Sequence, residues 1–281
     1  MNLYRIYLLI LLFSTSICHE SNTPSDALVL GRDNDPKTIS DIGFIKKIYK
    51  KSFWTILSLL GARNIAKIAY PNSISTFDSD NSIAFTIDDG FCGLDNPDGD
   101  MTEEVRLLLD KYNANATFFI SGTHCAHTDK NVISNLLNDG HELANHNMYD
   151  IPYDKHQLKD FENDLIMTNQ ILDTYTDNLS KWYRAPHATI TDSMHLVLNK
   201  YKLKHVVGDC FANDTSIPDP KWISNFILRR VKPGSIVIIH MPEKGIREWN
   251  YQAMELILQG LTKMNLNILN LTELSNLESY N

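Results

Sequence analysis

The chain has 281 residues, is 43% hydrophobic and 21% charged, and carries only 12 Gly and 10 Pro. That balance describes a folded globular protein and excludes a disordered or low-complexity one. Its 26 Lys and Arg against 34 Asp and Glu give a formal net charge of −8, which excludes the basic footprint that a nucleic-acid binder needs.

Residues 1–18 read as a secretory signal peptide. Arg5 precedes an apolar run from Ile6 to Phe13, followed by the small residues Ser14, Thr15 and Ser16. A charged start, a short apolar run and a small-residue exit predict cleavage after Cys18. The run is too short to span a bilayer, which takes about 20 apolar residues. The protein is therefore expected to be secreted or to enter the secretory route. Cys92, Cys125 and Cys210 remain after cleavage and allow at most one internal bridge, with the pairing open. No CxxC occurs, which argues against a thiolate zinc cluster. Asn-x-Ser/Thr sequons stand at Asn115, Asn178, Asn213 and Asn270; Asn115 opens a strand-like run and is expected to stay unmodified.

Residues 19–40 are polar and turn-rich, with Pro24, Asp33, Asn34, Asp35 and Pro36, and read as a linker. Residues 41–80 read as a helical extension. Within 41–69, Ile45, Ile48, Tyr49, Ser52, Ile56, Leu59 and Leu60 share one helical face, interleaved with Lys46, Lys47, Lys50 and Lys51. A basic amphipathic helix can lie on a membrane. The expectation here is packing on the domain that follows, because the apolar stripe has the width of a core-facing one.

From residue 82 the chain alternates short β runs with helical patterns, in a domain that fills 81–281. Strands are predicted at 82–88, 116–121, 141–146, 182–185, 205–208, 235–240 and 267–271. Helices are predicted at 102–112, 131–138, 155–175, 192–201, 219–231 and 249–263. Strands alternating with helices predict a parallel sheet. The period fits a (β/α) barrel and a doubly wound open sheet equally. In both, chemistry gathers at the carboxyl ends of the strands. Asp88, Asp89, His146, Arg184, Asp209 and His240 lie there.

Asp88-Asp89-Gly90 ends the first strand; Asp-Gly is a common turn, but a second adjacent carboxylate calls for a cation or a proton. His146 and Asp150 stand four residues apart and would face one way on a helical turn. With Asp89 they offer one nitrogen and two carboxylates, a set of three that leaves room for water on a catalytic metal. His141, at the start of its strand, would point elsewhere and is read as structural. Arg184 can hold a carboxylate ionised. Asp209 or Asp214 could orient a histidine or cap the next helix. His240 ends an apolar strand.

The order of these motifs, TIDDG, GHELANHNMYD, WYRAP, GDCFAND and PGSIVIIH, resembles the polysaccharide deacetylases of carbohydrate esterase family four, over roughly residues 82–275. The resemblance implies a distorted (β/α) barrel of seven or eight mostly parallel strands. It implies Asp88 as catalytic base, Arg184 as the residue that orients it, His240 as general acid and Asp214 rather than Asp209 as its support. It implies Asp89 and His146 as metal ligands and the His187 N–H as an oxyanion donor. The family's second histidine ligand is replaced here by Asp150, and the hydroxyl residue after the first histidine by Asn147. The metal would be zinc, with Mn²⁺ or Co²⁺ tolerated by the harder ligand set. The resulting expectation is a metal-dependent N-deacetylase acting on N-acetylated glycans such as chitin or peptidoglycan. Its rival is a weak or inactive homologue that binds glycan. Ile238 and Ile239 are candidates for an acetyl-methyl pocket. Phe91, Tyr149, Tyr153 and Phe211 are candidates for stacking on sugar.

Overall fold

The computed structural model describes residues 62–177 and 179–278. The segments read as signal peptide and linker, residues 41–61 of the expected helical extension, and the Asn178 sequon lie outside them. In chain order the elements are α1 (Ala62–Ala69), β1 (Ser82–Gly90), α2 (Thr102–Lys111), β2 (Ala116–Ile120), α3 (Lys130–Asn138), β3 (Glu142–Asn145) and α4 (Leu158–Leu172). There follow β4 (Trp182–Tyr183), α5 (Asp192–Lys200), β5 (Lys204–His205), β6 (Cys210–Phe211), α6 (Pro220–Leu228), β7 (Ile236–His240), α7 (Trp249–Lys263), β8 (Asn267–Leu269) and α8 (Leu271–Glu278). Short 3₁₀ turns stand at Gly122–Cys125, Tyr153–Lys155 and Pro186–Ala188. Among the described residues no helix is long and apolar enough to cross a membrane.

The strands form one parallel sheet in the order β5-β4-β3-β2-β1-β7-β6, with β8 pairing the start of β1. It curls into a partial barrel, as the resemblance implied. β1 is the central strand and is buried along all nine residues, which fits its continuous apolar, β-branched sequence. Ile83, Phe85 and Ile87 join the outer core with Val105, Leu109, Ile133, Leu136, Ile257 and Leu261 from the surrounding helices. Ala84 faces the other way, into an inner cluster with Phe119, Ala144, Trp182, Val206 and Ile236. Leu271 and Leu274 of α8 belong to that inner cluster and plug its amino-terminal end. By strand alternation, Thr86 and Asp88 continue the inner line of Ala84 toward the carboxyl end. The interior thus grades from apolar to polar along a single strand.

The helix α1 ends at Ala69, and after a turn at Pro71–Asn72 the chain is extended rather than helical. Ile74 makes a parallel bridge with Val206, and Thr76 an antiparallel bridge with Ser235. Residues 74–77 therefore lace the β5 side of the sheet to the β7 side: Ile74 N donates to His205 O (3.0 Å), and Phe77 N to Gly234 O (2.9 Å). Gly234 has φ +79°, and a Cβ there would lie 1.9 Å from Phe77 O, so the close approach needs glycine. Helix α1 is tied to the same place. Arg63 Nε donates to Asp209 Oδ2 (2.7 Å), and its Nη2 to Pro233 O (2.7 Å). This end of the extension packs on the barrel; residues 41–61 lie outside the described residues.

Two differences from the sequence reading have local causes. The segment after β5 does not run on as a strand through 208. It breaks, and Cys210–Phe211 re-enters the sheet as β6, paired with β7. A two-residue strand leaves no periodicity to detect. The sequons at Asn115, Asn213 and Asn270 are structural. Asn213 and Asn270 are buried. Asn115 Nδ2 donates to Glu273 Oε1 (2.8 Å), and Asn270 Oδ1 accepts from Glu273 N (2.8 Å) at the start of α8.

Candidate active site

Asp88 and Asp89 are adjacent, yet both serve one site. In a regular strand adjacent side chains point to opposite faces. Here the β1–β2 register shifts between Ile87 and Gly90, and Asp89 has φ +59°. The irregularity re-aims the second carboxylate, as bulges near active sites do.

Asp88 Oδ1 accepts from Arg184 Nη1 at 2.5 Å. Arg184 is buried, lies over the Phe119 ring at 4.1 Å, and also donates to Thr86 Oγ1 (2.8 Å) and Val206 O (3.2 Å). Burial pulls the guanidinium below its usual range, and the Asp88 charge opposes that pull. An ion pair held this way fixes the carboxylate in direction.

In the sheet register Asp88 stands opposite His240 on the neighbouring strand β7. His240 Nδ1 faces Asp214 Oδ1 at 3.0 Å, and Asp214 Oδ2 accepts from the His240 N–H (2.9 Å) and from Asn250 Nδ2 (2.6 Å). The acid is fully buried. For His240, burial alone would favour the neutral ring, but the Asp214 charge and hydrogen bond outweigh it and raise the pKa to about 9. For Asp214, burial pushes upward and the His240 charge overcomes it, so the carboxyl sits below its usual range. Both directions favour a cationic imidazole on an ionised acid.

Asp209 is not part of this pair. Its carboxylate accepts from Arg63, from Ser235 Oγ (3.0 Å) and from Ile236 N (3.0 Å). It ties α1 and the start of β7 together. Burial raises its pKa despite Arg63.

Donor atoms of Asp89, His146 and Asp150 lie within 4.8 Å of one another. His146 follows β3; its Nδ1 meets Arg184 O at 2.8 Å. A carbonyl only accepts, so Nδ1 carries the proton, and Nε2 of the neutral ring presents a lone pair. That lone pair faces Asp89 Oδ1 at 3.4 Å. Among the described residues Asp89 Oδ1, though buried, has no hydrogen-bond partner. Two electron-rich atoms facing each other fit a shared cation. Asp150 is exposed and completes the triangle from the next turn; its Oδ1 lies 3.4 Å from His187 Nε2. Burial would raise Asp89, but a hydrogen bond from His146 when its ring is protonated, and the charges of His240 and Arg247, hold it well below the usual carboxylate range; Asp89 in turn raises His146, so a metal ion would take the place of the proton the pair shares. The donor set, one imidazole and two carboxylates with a carbonyl behind the imidazole, suits a divalent ion.

His187 sits in the 3₁₀ turn after β4 with φ +54°. His141 is structural, as expected: its Nδ1 accepts from Ala116 N (3.1 Å), and burial lowers its pKa to about 4. Ile239 lies in the outer core, while Ile238 shares the inner face with His240, so only Ile238 remains for an acetyl pocket. Phe91 and Tyr153 are buried at 0% and 2% exposure, which removes them as sugar platforms; Tyr149 is 47% exposed.

One site residue escaped the sequence reading. Arg247, in the β7–α7 loop, donates Nη1 to Asp89 Oδ2 at 2.6 Å. No motif announces an arginine in a loop that long-range folding brings to Asp89.

Comparisons with known proteins point to the same fold and to one family. Residues 77–206 match the family model described as polysaccharide deacetylase. A peptidoglycan-N-acetylglucosamine deacetylase of Bacillus cereus is 25% identical over 179 residues, 64% of this chain and 62% of that protein. A chitooligosaccharide deacetylase of Sinorhizobium fredii is 28% identical over 160 residues, 57% of this chain and 71% of that one. The chain thus spans somewhat under two thirds of the first relative's length. Among solved structures, a CE4 family pseudoenzyme from Bacillus anthracis superposes with a TM-score of 0.63 at 18% identity, covering 73% of this chain and 69% of that one. The CE4 domain of a multidomain xylanase from the hindgut metagenome of Trinervitermes trinervoides gives 0.62 at 21% identity, covering 71% and 92%. At such identities the structural likeness shows the fold. With the family match and the curated relatives, it shows that residues 77–206 carry a domain similar to the polysaccharide deacetylases.

Proposed function

We propose that the protein is a secreted, metal-dependent N-deacetylase that removes N-acetyl groups from N-acetylglucosamine-containing glycans such as chitin or peptidoglycan. One observation carries this reading. A carboxylate held by arginine, Asp88, and a cationic histidine held by an acid, His240, stand opposite each other on adjacent strands beside the Asp89–His146–Asp150 cluster. Amide hydrolysis needs a base for water, an acid for the amine and an electrophile for the carbonyl. The curated relatives, named as deacetylases of peptidoglycan and chitooligosaccharides, supply the substrate class.

Asp89, His146 and Asp150 would hold the ion. When bound, it supplies Lewis-acid polarisation of the acetamide carbonyl and acidifies a water molecule. Zinc is the ion proposed; two carboxylates among three ligands also suit Mn²⁺ or Co²⁺. Asp88 takes the proton of the attacking water, and Arg184 keeps Asp88 aimed. The His187 N–H is the proposed donor to the oxyanion. His240 gives a proton to the departing amine, which would otherwise leave as a poor amide anion. Asp214 holds Nδ1–H so that Nε2–H faces the substrate. Tyr149 offers its ring to a sugar at the rim, and Ile238 an apolar wall for the acetyl methyl. The charged start and apolar run of residues 1–18 support export.

Acetate release from chitin oligomers and from peptidoglycan fragments, measured with and without added zinc, tests the reading. Zinc-dependent release from either supports it. Glycan binding with no release under any divalent ion would instead assign a binding role.

A further inference from the structure

Each carboxylate around the site has a cationic or cation-capable partner: Asp88 has Arg184, Asp214 has His240, Asp150 has His187 and Asp89 has Arg247. The last is the residue that the proposed reaction leaves unexplained. Arg247 takes a left-handed backbone, φ +52°, a conformation that costs a non-glycine residue free energy and clusters at functional sites. Its side chain is only 15% exposed. Glu243, itself buried, lies 3.9 Å from Arg247 Nη2. Glu243 also accepts from Gly93 N (3.1 Å) and Asn96 Nδ2 (3.0 Å). The β7–α7 loop is thereby fastened to the β1–α2 loop, and Arg247 is aimed across it at Asp89.

The consequence for a bound ion is electrostatic. Arg247 holds Asp89 Oδ2, which leaves Oδ1 as the oxygen with no hydrogen bond and the one placed to meet an ion. Asp89, His146 and Asp150 contribute two negative charges, which cancel those of a divalent ion. A neutral centre is a weak electrophile. A ligand set with imidazole at position 150 would leave one positive charge. Arg247 puts that charge back from behind Asp89.

We propose that Arg247 is a positioning residue that fixes Asp89 as a one-oxygen ligand and offsets the negative charge of Asp150, keeping the metal centre electrophilic at the expense of affinity for the ion. This deepens the deacetylase reading and rests on it for its activity arm only. The proposal predicts a split that a merely structural role would not give. Arg247→Gln keeps a donor for Asp89 but removes the charge. It should bind zinc tighter by roughly tenfold, the direction Coulomb's law gives for removing a like charge, while kcat falls by roughly tenfold or more.

The test is zinc affinity by chelator competition, together with kcat, on the full chain and on Arg247→Gln, Arg247→Lys, Asp150→His and the double variant Arg247→Gln/Asp150→His. Arg247→Lys should recover most of the turnover lost in Arg247→Gln. In the Asp150→His background, Arg247→Gln should cost little kcat. Zinc affinity and kcat falling together in Arg247→Gln, or no rescue by lysine, would overturn the proposal. Should Arg247→Gln fail to fold, the lysine variant decides alone: turnover well below the parent's with intact folding counts against a charge role. If no protein in the series releases acetate, the deacetylase reading fails, and the affinity arm still decides the electrostatic role of Arg247.

Discussion

Asp88 and Asp214 each hold a basic partner at hydrogen-bond distance, Arg184 at 2.5 Å and His240 at 3.0 Å. Asp89 Oδ1 and His146 Nε2, by contrast, face each other at 3.4 Å, too far apart to count as a closed hydrogen bond. The first half of the site is closed by the chain's own groups; the second is arranged to share a cation, whether a proton on His146 or the proposed metal ion. The difference teaches where each half draws its stability. The acid–base pairs should be preformed and insensitive to metal, whereas the ligand half should change when the ion is added.

The largest effect expected is on turnover, and it should leave the ligand half untouched. Asp88→Asn should lower kcat by about 10²–10⁴-fold, the range for a general base, with zinc stoichiometry close to the parent's. His240→Ala should lose a similar factor through the leaving-group step. An Asp88→Asn protein with parental kcat would break the division between the two halves.

Next in size is the reverse experiment. Asp150→Ala should weaken zinc binding by about 100-fold or more, beyond the 10–100-fold typical of an outer-shell partner. Competition with a chromogenic chelator measures it. Unchanged affinity would remove Asp150 from the ligand set.

The third prediction concerns pH and the metal-free protein. His240 has a folded-state pKa of about 9 against an ordinary 6.5. A raised histidine stabilises the fold fully below pH 6.5, and that contribution is lost as pH rises through 9. Unfolding free energy should therefore decline across that window, and His240→Ala should flatten the decline. Urea melts at a series of pH values report it.

The smallest effect is at the rim. Tyr149→Ala should raise KM for chitin oligomers by roughly 2–12-fold, matching the 0.5–1.5 kcal/mol of an aromatic contact, with kcat nearly unchanged. Steady-state kinetics on oligomers of increasing length would show it.

Much of this comparison was legible in the sequence, for physical reasons that also mark its limits. β1 reads clearly because a central parallel strand is apolar along its whole length, and the Asp pair stands where that run stops. Asp214 could be separated from Asp209 only by resemblance, since both follow the same strand; the structure separates them through Arg63, a partner 146 residues away from Asp209. β6 was missed because two residues carry no period. Residues 74–77 close the barrel through two isolated bridges, which demand backbone geometry rather than composition. Ile239 could have been excluded by alternation alone, because it stands one residue before His240. Arg247 could not have been found, since its role exists only once β7 lies beside β1.

The most direct measurement is acetate release from chitin oligomers by chelator-stripped protein titrated with zinc. The account predicts no release without metal, a linear rise, and a plateau at one zinc per chain, with Asp89→Ala failing to respond. Full release from stripped protein, or a response to zinc that survives Asp89→Ala, would contradict it.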